Sequence, residues 1–473
     1  MNRWDGDGLY GSTATVGRQR RALADGDVPV AVYGLGKMGL PLAAVYAETA
    51  GSVIGVDVDP AVVASVNAGA SHVDGEPGLD ELVADRVDRG RLRATTDGPA
   101  AAAAARVHVI IVPTLLTDAD EPDLSTVEAV LDDIAAGLSP GDLVVLESTV
   151  PPGTARDAVV PTLAERSDVE RGEFGVAVCP ERTSSGTALR DIRGRYPKVV
   201  GGVDAESARA AALLYGEVTD GEVHVVSDAT TAEAVKVFEG IYRDVNIALA
   251  NELATTSGEL GISVREAIET ANELPMCQLH EPGPGVGGHC IPNYPHFLRS
   301  RTETPTELTI AARRVNDRMP AYAVDLLAEE LEAAGASLEE SSVLVLGLTY
   351  RPGVAETRRS PAIEIVDRLG ERAETVYAAD PLVDPAEYGA RPASIDELSA
   401  LSLDAAIVVT PHAAFEAIDW ERLEPMVVLD GRDALAFEDD RHRVRTLGGR
   451  SRPTDAVPSD GGRVPLERAA DRR

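Results

Sequence analysis

Apolar positions along the chain fall into two alternating regimes separated by a long helical one. Between residues 28 and 226, short uninterrupted apolar runs recur, among them VPVAVYG (28–34), GSVIGVD (51–57), RVHVIIVPT (106–114) and GDLVVLEST (141–149). Shorter runs follow at FGVAVC (174–179), KVVGG (198–202) and VHVV (223–226). Between them lie stretches of helical periodicity such as LPLAAVYAETA (40–50) and STVEAVLDDIAAGL (125–138). Strands that are apolar on both faces and separated by helices predict a parallel, doubly wound sheet. From about Thr230 the pattern turns helical and stays so to near Ala334. After it, SSVLVLGLTYRP (341–352), TVYAADP (375–381), DAAIVVTPH (404–412) and MVVLDGRD (426–433) predict a second, smaller α/β domain. The boundaries expected are 28–227, 228–337 for the helical part, and 338–447. The polar flanks 1–27 and 448–473 are expected to be disordered tails.

Length and charge narrow this picture without changing it. A chain of 473 residues is too long for one ordinary core, which agrees with several domains. Asp and Glu number 78 against 44 Lys and Arg, a net charge of −34 that argues against nucleic acid as a partner. Lysine occurs only at Lys37, Lys198 and Lys236. The acid is spread along the whole chain, so we read it as adaptation to molar salt, a matter of solubility, rather than as an acidic interaction surface. The absence of a long apolar run predicts no membrane span, and the polar N-terminus predicts a cytoplasmic protein. Cys179, Cys277 and Cys290 have no metal-ligand spacing and form no disulfide framework, so no metal is expected.

Two segments carry candidate chemistry. VAVYGLGKMGLPLA places Gly34, Gly36 and Gly39 in the GxGxxG spacing, after an apolar run and at the start of a helix. The first glycine permits the tight turn, the second lets backbone approach a pyrophosphate, and the third lets helix pack on strand. Asp57 ends the next strand, 23 residues after Gly34, where a carboxylate accepts ribose hydroxyls and repels a 2′-phosphate. These features predict an NAD site, which also takes in Lys37, Met38 and Thr114. Similar loops elsewhere hold FAD or nothing. The second segment, PGPGVGGHCIP, presents Cys290 on a loop of Gly and Pro. On these residues alone, a nucleophile and a small residue in a plain connector fit equally well. A thiolate would supply a covalent step if its target were an aldehyde made by a first oxidation. Lys236 lies in the long helix of an arginine-dominated chain, which favours a specific amine role over a solvated charge. Glu181 follows a strand end, where doubly wound sheets collect functional groups, or else merely starts a helix. Cys179 and His289 are expected to be structural.

The chain resembles the nucleotide-sugar dehydrogenase family from Val30 to about Asp433. The resemblance is carried by GLGKMGLPLA, ESTVPPGT (147–154), CPER (179–182), RDVNIALANEL (243–253), PGPGVGGHC (282–290), RRVND (313–317) and ETRRSPAIEI (356–365). The wording is most similar to archaeal-type UDP-N-acetyl-D-mannosamine dehydrogenases. The resemblance implies two Rossmann-like domains joined by a central helical domain, and a homodimer formed through the central helices. It implies a UDP-sugar substrate oxidised at C6 by NAD in two steps, through a Cys290 thiohemiacetal and thioester. Lys236 would stabilise oxyanions, Glu181 would position water, and Thr149 would sit beside cofactor and water. Arg243, Asn246, Gly287, Arg313 or Arg314, Asn316 and Arg351 would belong to the substrate site with Glu181, and Arg358 would lie near the cofactor. UDP-N-acetylglucosamine and UDP-glucose are alternative substrates. The family pattern has Asp where this chain has Tyr294, Asn where it has Gly240, and Lys where it has Arg351. The first two leave open a homologue that binds nucleotide sugar without turnover, with Asn246 as a possible substitute for the missing amide. A two-electron hydroxy-acid dehydrogenase is a third reading.

Overall fold

The structure is a computed structural model that describes residues 8–184, 186–437 and 441–449. The chain divides into two compact units, Met1–Asn246 with Gly288–Arg314, and Ile247–Gly287 with Val315–Arg473. The helical segment 228–337 is shared between them.

In the first unit, helix α1 (Val16–Asp25) precedes an eight-stranded sheet. Its strands are β1 (Val30–Tyr33), β2 (Val53–Val56), β3 (Leu92–Thr95), β4 (Val107–Ile110), β5 (Leu143–Leu146), β6 (Gly175–Val178), β7 (Lys198–Gly202) and β8 (Val223–Val225). They lie in the order β8-β7-β6-β5-β4-β1-β2-β3. The strand alternation divides β1 between two cores: Val30 and Val32 enter one, Ala31 and Tyr33 the other. All four are buried, which is why the run shows no polar face. In this eight-stranded sheet all pairs are parallel except β6–β7, which is antiparallel, so the expected all-parallel sheet needs that correction.

The expected N-terminal tail is also corrected over residues 8–27. Thr15 caps α1 by accepting from Arg18 N–H, and Gly26 ends it at φ 88°. Leu9, Tyr10, Ala22 and Leu23 join the first core. Arg209 donates to Leu9 O at 2.6 Å, and Gln19 donates to Gly8 O at 2.8 Å. Four apolar residues in a polar stretch give a weak pattern, yet each is fully covered here. Residues 1–7 lie outside the described residues.

Helix α2 (Gly39–Thr49) follows β1, and helix α3 (Ala229–Thr255) starts in the first unit and ends in the second. Helix α4 (Cys290–Arg299) belongs to the first unit, and helix α5 (Glu307–Ala333) again passes from one to the other. The second unit contains β9 (Ser342–Leu346), helix α6 (Pro361–Arg372), β10 (Thr375–Ala379), β11 (Arg391–Pro392), β12 (Ala405–Val408), β13 (Val427–Asp430) and β14 (Arg443–Thr446). The six strands are parallel in the order β11-β10-β9-β12-β13-β14. Strands β11 and β14 escape the sequence pattern because neither is an apolar run. Of the expected tail 448–473, Gly448 and Gly449 are buried in a turn, and the rest lies outside the described residues.

Candidate active site

The turn after β1 has the geometry its glycines predict. Gly34 adopts φ 93°, and a Cβ there would lie 2.8 Å from Ile111 O. At Gly39, the first residue of α2, a Cβ would lie 1.8 Å from Gly34 O, so helix and turn close on each other without room for a methyl group. A Cβ at Gly36 would meet nothing within 4 Å. Packing therefore does not require Gly36; the open face of the turn does. Asp57 follows β2 and accepts from Leu35 N–H at 2.8 Å and Asp59 N–H at 3.0 Å, which fixes its carboxylate at the turn. Lys37 is exposed, and Met38 sulfur accepts from the Thr183 hydroxyl at 3.1 Å. An open glycine, a closed glycine and an oriented carboxylate fit a dinucleotide whose pyrophosphate approaches Gly36.

The ends of β4, β5 and β6 collect the next group. Thr114 donates to Thr149 O at 2.5 Å, and the Thr149 hydroxyl lies 3.3 Å from the Tyr294 hydroxyl. Glu181 lies beyond β6; its N–H donates to Glu147 O at 3.0 Å, and its carboxylate accepts from Thr183 N–H. Glu147 is fully buried, receives the Tyr215 hydroxyl at 2.6 Å and the Tyr46 hydroxyl at 3.3 Å, and lies near buried Lys198. Sequence reasoning assigns no role to Glu147 and Lys198, although Glu147 opens ESTVPPGT and Lys198 is one of three lysines. Burial raises Glu147 above the usual carboxylate range, partly offset by the Lys198 charge.

Cys290 is the first residue of α4 and is exposed, whereas Cys179 is buried and its thiol is pushed up to about 12 by burial. Cys179 is thus the inert packing residue expected of it. Tyr294 lies one turn after Cys290 on α4, so the two side chains are neighbours on one face of the helix. Burial first, then the charge of Cys290, raises this phenol well above its ordinary value. Its ring lies on Gly240 of α3: a Cβ there would be 2.0 Å from Cδ2. The two departures from the family pattern are therefore one complementary pair. Lys236, half-buried, lies one turn before Gly240 on α3. Asn246 does not occupy the vacated position; its amide donates to Tyr242 at 3.2 Å.

In the first unit, Arg243 is exposed, and Arg313 donates to buried Asp244 at 2.5 Å. In the second unit, buried Asn316 accepts from Asn251 at 2.9 Å, and Asn251 accepts from Gly283 N–H at 2.9 Å, so Asn316 supports the Gly-Pro loop. A Cβ at Gly287 would lie 2.7 Å from Arg359 O. Arg351 is half-buried after β9, and Arg358 is exposed with Glu356 at 3.8 Å. Two residues without a sequence signal hold the same loop. Arg432 donates to Val409 O at 3.1 Å and Gly285 O at 3.3 Å, and Arg265 donates to Pro282 O and Leu447 O, both at 2.8 Å. Burial brings the Arg432 guanidinium down to about 10.

Family models match the chain in three consecutive parts. They describe the NAD binding domain (28–219), central domain (230–318) and UDP binding domain (344–437) of the UDP-glucose/GDP-mannose dehydrogenase family. The chain is 36% identical over 413 residues to UDP-N-acetyl-D-mannosamine dehydrogenase of Pyrococcus horikoshii, covering 86% of this chain and 96% of the relative. It is 37% identical over 418 residues to NDP-N-acetyl-D-galactosaminuronic acid dehydrogenase of Ralstonia nicotianae, covering 85% and 95%. A solved structure of the Pyrococcus horikoshii UDP-D-ManNAc dehydrogenase superposes with TM-score 0.83 at 35% identity, covering 89% of this chain and 99% of that one.

Proposed function

The chain belongs to the UDP-glucose/GDP-mannose dehydrogenase family, and on that footing we propose that it oxidises the C6 alcohol of UDP-N-acetyl-D-mannosamine to the carboxylate. It is an NAD-dependent nucleotide-sugar dehydrogenase. The observation that carries the finer reading is the grouping of Cys290, Tyr294, Thr149 and Glu181 in the unit that also holds the glycine turn and Asp57. Names of relatives acting on UDP-N-acetyl-D-mannosamine support the choice of sugar.

Gly34, Gly36, Gly39, Lys37, Met38 and Asp57 would hold NAD, with Thr114 and Thr149 at the neighbouring strand ends. Bound NAD supplies the two-electron acceptor for each of two oxidations. Lys236 offers an ammonium to oxygen atoms that gain negative charge at C6. Cys290 sulfur adds to the aldehyde carbon and forms a thiohemiacetal. Once that adduct is oxidised, Cys290 carries the sugar as a thioester. Glu181 orients water toward the thioester carbonyl; the new C–O bond forms, the C–S bond breaks, and its electron pair leaves on sulfur. The UDP moiety is assigned to the second unit, whose Arg351, Asn316 and Gly287 are the proposed contacts or their supports. In the first unit Arg243, Asn246 and Arg313 are the corresponding candidates.

Among the described residues, no helix is long and apolar enough to cross a membrane. We place the enzyme in the cytoplasm, supplying uronate for polysaccharide synthesis in a cell with high internal salt. Its acidic, lysine-poor composition supports that setting. Pairing of two copies through the central helices is supported by exposed apolar pairs one turn apart on α3, Phe238 with Tyr242 and Leu249 with Leu253. A panel of UDP-sugars assayed for NADH formation in molar salt tests the substrate. The highest kcat/KM should fall on UDP-N-acetyl-D-mannosamine; a higher value for UDP-N-acetylglucosamine or UDP-glucose would replace it.

A further inference from the structure

Tyr294 is held more firmly than a packing residue at a helix surface would need. Only 5% of it is exposed. Val237 and Ile241 of α3 pack around it, and the Phe297 ring lies 5.8 Å away at 45°. The space it fills exists because position 240 has no side chain: a Cβ there would be 2.0 Å from Cδ2 and 2.8 Å from Cε2. With the ring fixed in this way, the hydroxyl lies 3.3 Å from the Thr149 hydroxyl, and Cys290 stands one helical turn back on the same face, the direction in which helical side chains lean. Both belong to the reacting end of the first unit.

We propose that Tyr294, seated on Gly240, is a catalytic hydrogen-bond donor to the Cys290 sulfur. It holds the sulfur for attack on the aldehyde and stabilises it as the leaving group when the thioester is hydrolysed. The proposal rests on the thioester reading given above. A phenol kept neutral by burial offers an O–H rather than a base, so the proton of the attacking water goes to Glu181, a carboxylate of the same cluster. In that step the water oxygen bonds to the carbonyl carbon, the C–S bond breaks, and its electron pair stays on sulfur facing the Tyr294 hydroxyl. Thr149 anchors the hydroxyl from the other side, which gives that residue a positioning role as well.

The test compares Tyr294→Phe with the wild type in the full-length enzyme, with UDP-N-acetyl-D-mannosamine and NAD. Phenylalanine keeps the ring on Gly240, so the melting temperature should hold. Loss of a hydrogen bond to a charged sulfur should lower kcat roughly 10- to 100-fold, and KM should fall with it because the acylated enzyme accumulates. NADH should appear in a burst followed by a slow phase, with the sugar found covalently on Cys290 by mass spectrometry. Unchanged kcat, or a slowed variant without burst and adduct, would overturn the proposal. A wild type yielding fewer than two NADH per sugar would instead overturn the thioester reading. A second pair of variants checks the seat. Gly240→Ala should cost activity in the wild-type background and about nothing further when Tyr294→Ala is already present, whereas additive losses would contradict the complementarity.

Discussion

The two sheets make the same turn after their first strands and use it differently. In the first, Gly34 turns the chain and Asp57 accepts Leu35 N–H at 2.8 Å. In the second, Gly347 turns it at φ 87°, and Asp380 accepts Leu348 N–H at 2.7 Å and Thr349 N–H at 3.0 Å. There the likeness ends. Asp380 also faces His412 at 3.2 Å, and the His412 ring meets the Thr349 hydroxyl at 2.7 Å. The second turn is filled by its own side chains, with Leu348 and Thr349 where the first has Leu35 and Gly36. The first keeps open space over Gly36. A strand, a turn and an acid thus build the fold in both units, and the absence of side chains makes a dinucleotide site in only one.

The largest disruption should come from Gly39→Ala, because its methyl group would overlap Gly34 O. We expect a loss of about 4 kcal/mol or more in chemical denaturation, together with loss of NAD binding. Next comes Glu233, a buried carboxylate that accepts from Gly153 N–H and from Ala155 N–H at 2.8 Å. Burial raises it to about 7. Since the folded value lies above the unfolded one, its favourable contribution is full below about pH 4.5 and is lost as pH rises through about 7. Glu233→Gln should remove up to about 3 kcal/mol of that pH dependence between those limits, and parallel wild-type and variant curves would contradict it.

Asp380 has the opposite sign. Burial opposes its charge, but hydrogen bonds from His412 and from the N–H groups of Leu382, Thr349 and Leu348 hold it at about 2. Its stabilisation is present above the unfolded value and is lost as pH falls through about 2. Asp380→Asn should therefore cost about 2 kcal/mol of stability near neutral pH and leave NAD affinity unchanged. The smallest effect sharpens the comparison most. Gly36→Ala should leave the denaturation midpoint in place while weakening NAD binding about tenfold, seen by calorimetric titration. Equal NAD affinity would mean that the space over Gly36 is not where the pyrophosphate lies.

Much of this difference is legible in the chain. Gly34, Gly36, Gly39 and Asp57 stand at fixed offsets on a strand, a turn and a helix, and local spacing is what a sequence preserves. The Gly-Pro loop before Cys290 carries its signal in the same way. What escapes depends on pairs far apart in sequence. Tyr294 and Gly240 each read as a lost polar group, and only their contact makes them one feature. Arg265 and Arg432 look like ordinary surface charges until their donors are found on carbonyl groups of the loop at 282–285. Helix α1 escapes because its few apolar residues give little periodicity, although Ala22 and Leu23 reach the core. The antiparallel β6–β7 pairing leaves no trace in an apolar run.

The four-electron oxidation proposed for this enzyme runs through a thioester on Cys290. Counting NADH formed per UDP-N-acetyl-D-mannosamine consumed, in molar salt with limiting sugar, tests it most directly. Two NADH and one uronate per sugar are expected; one NADH with release of aldehyde would rule the thioester route out.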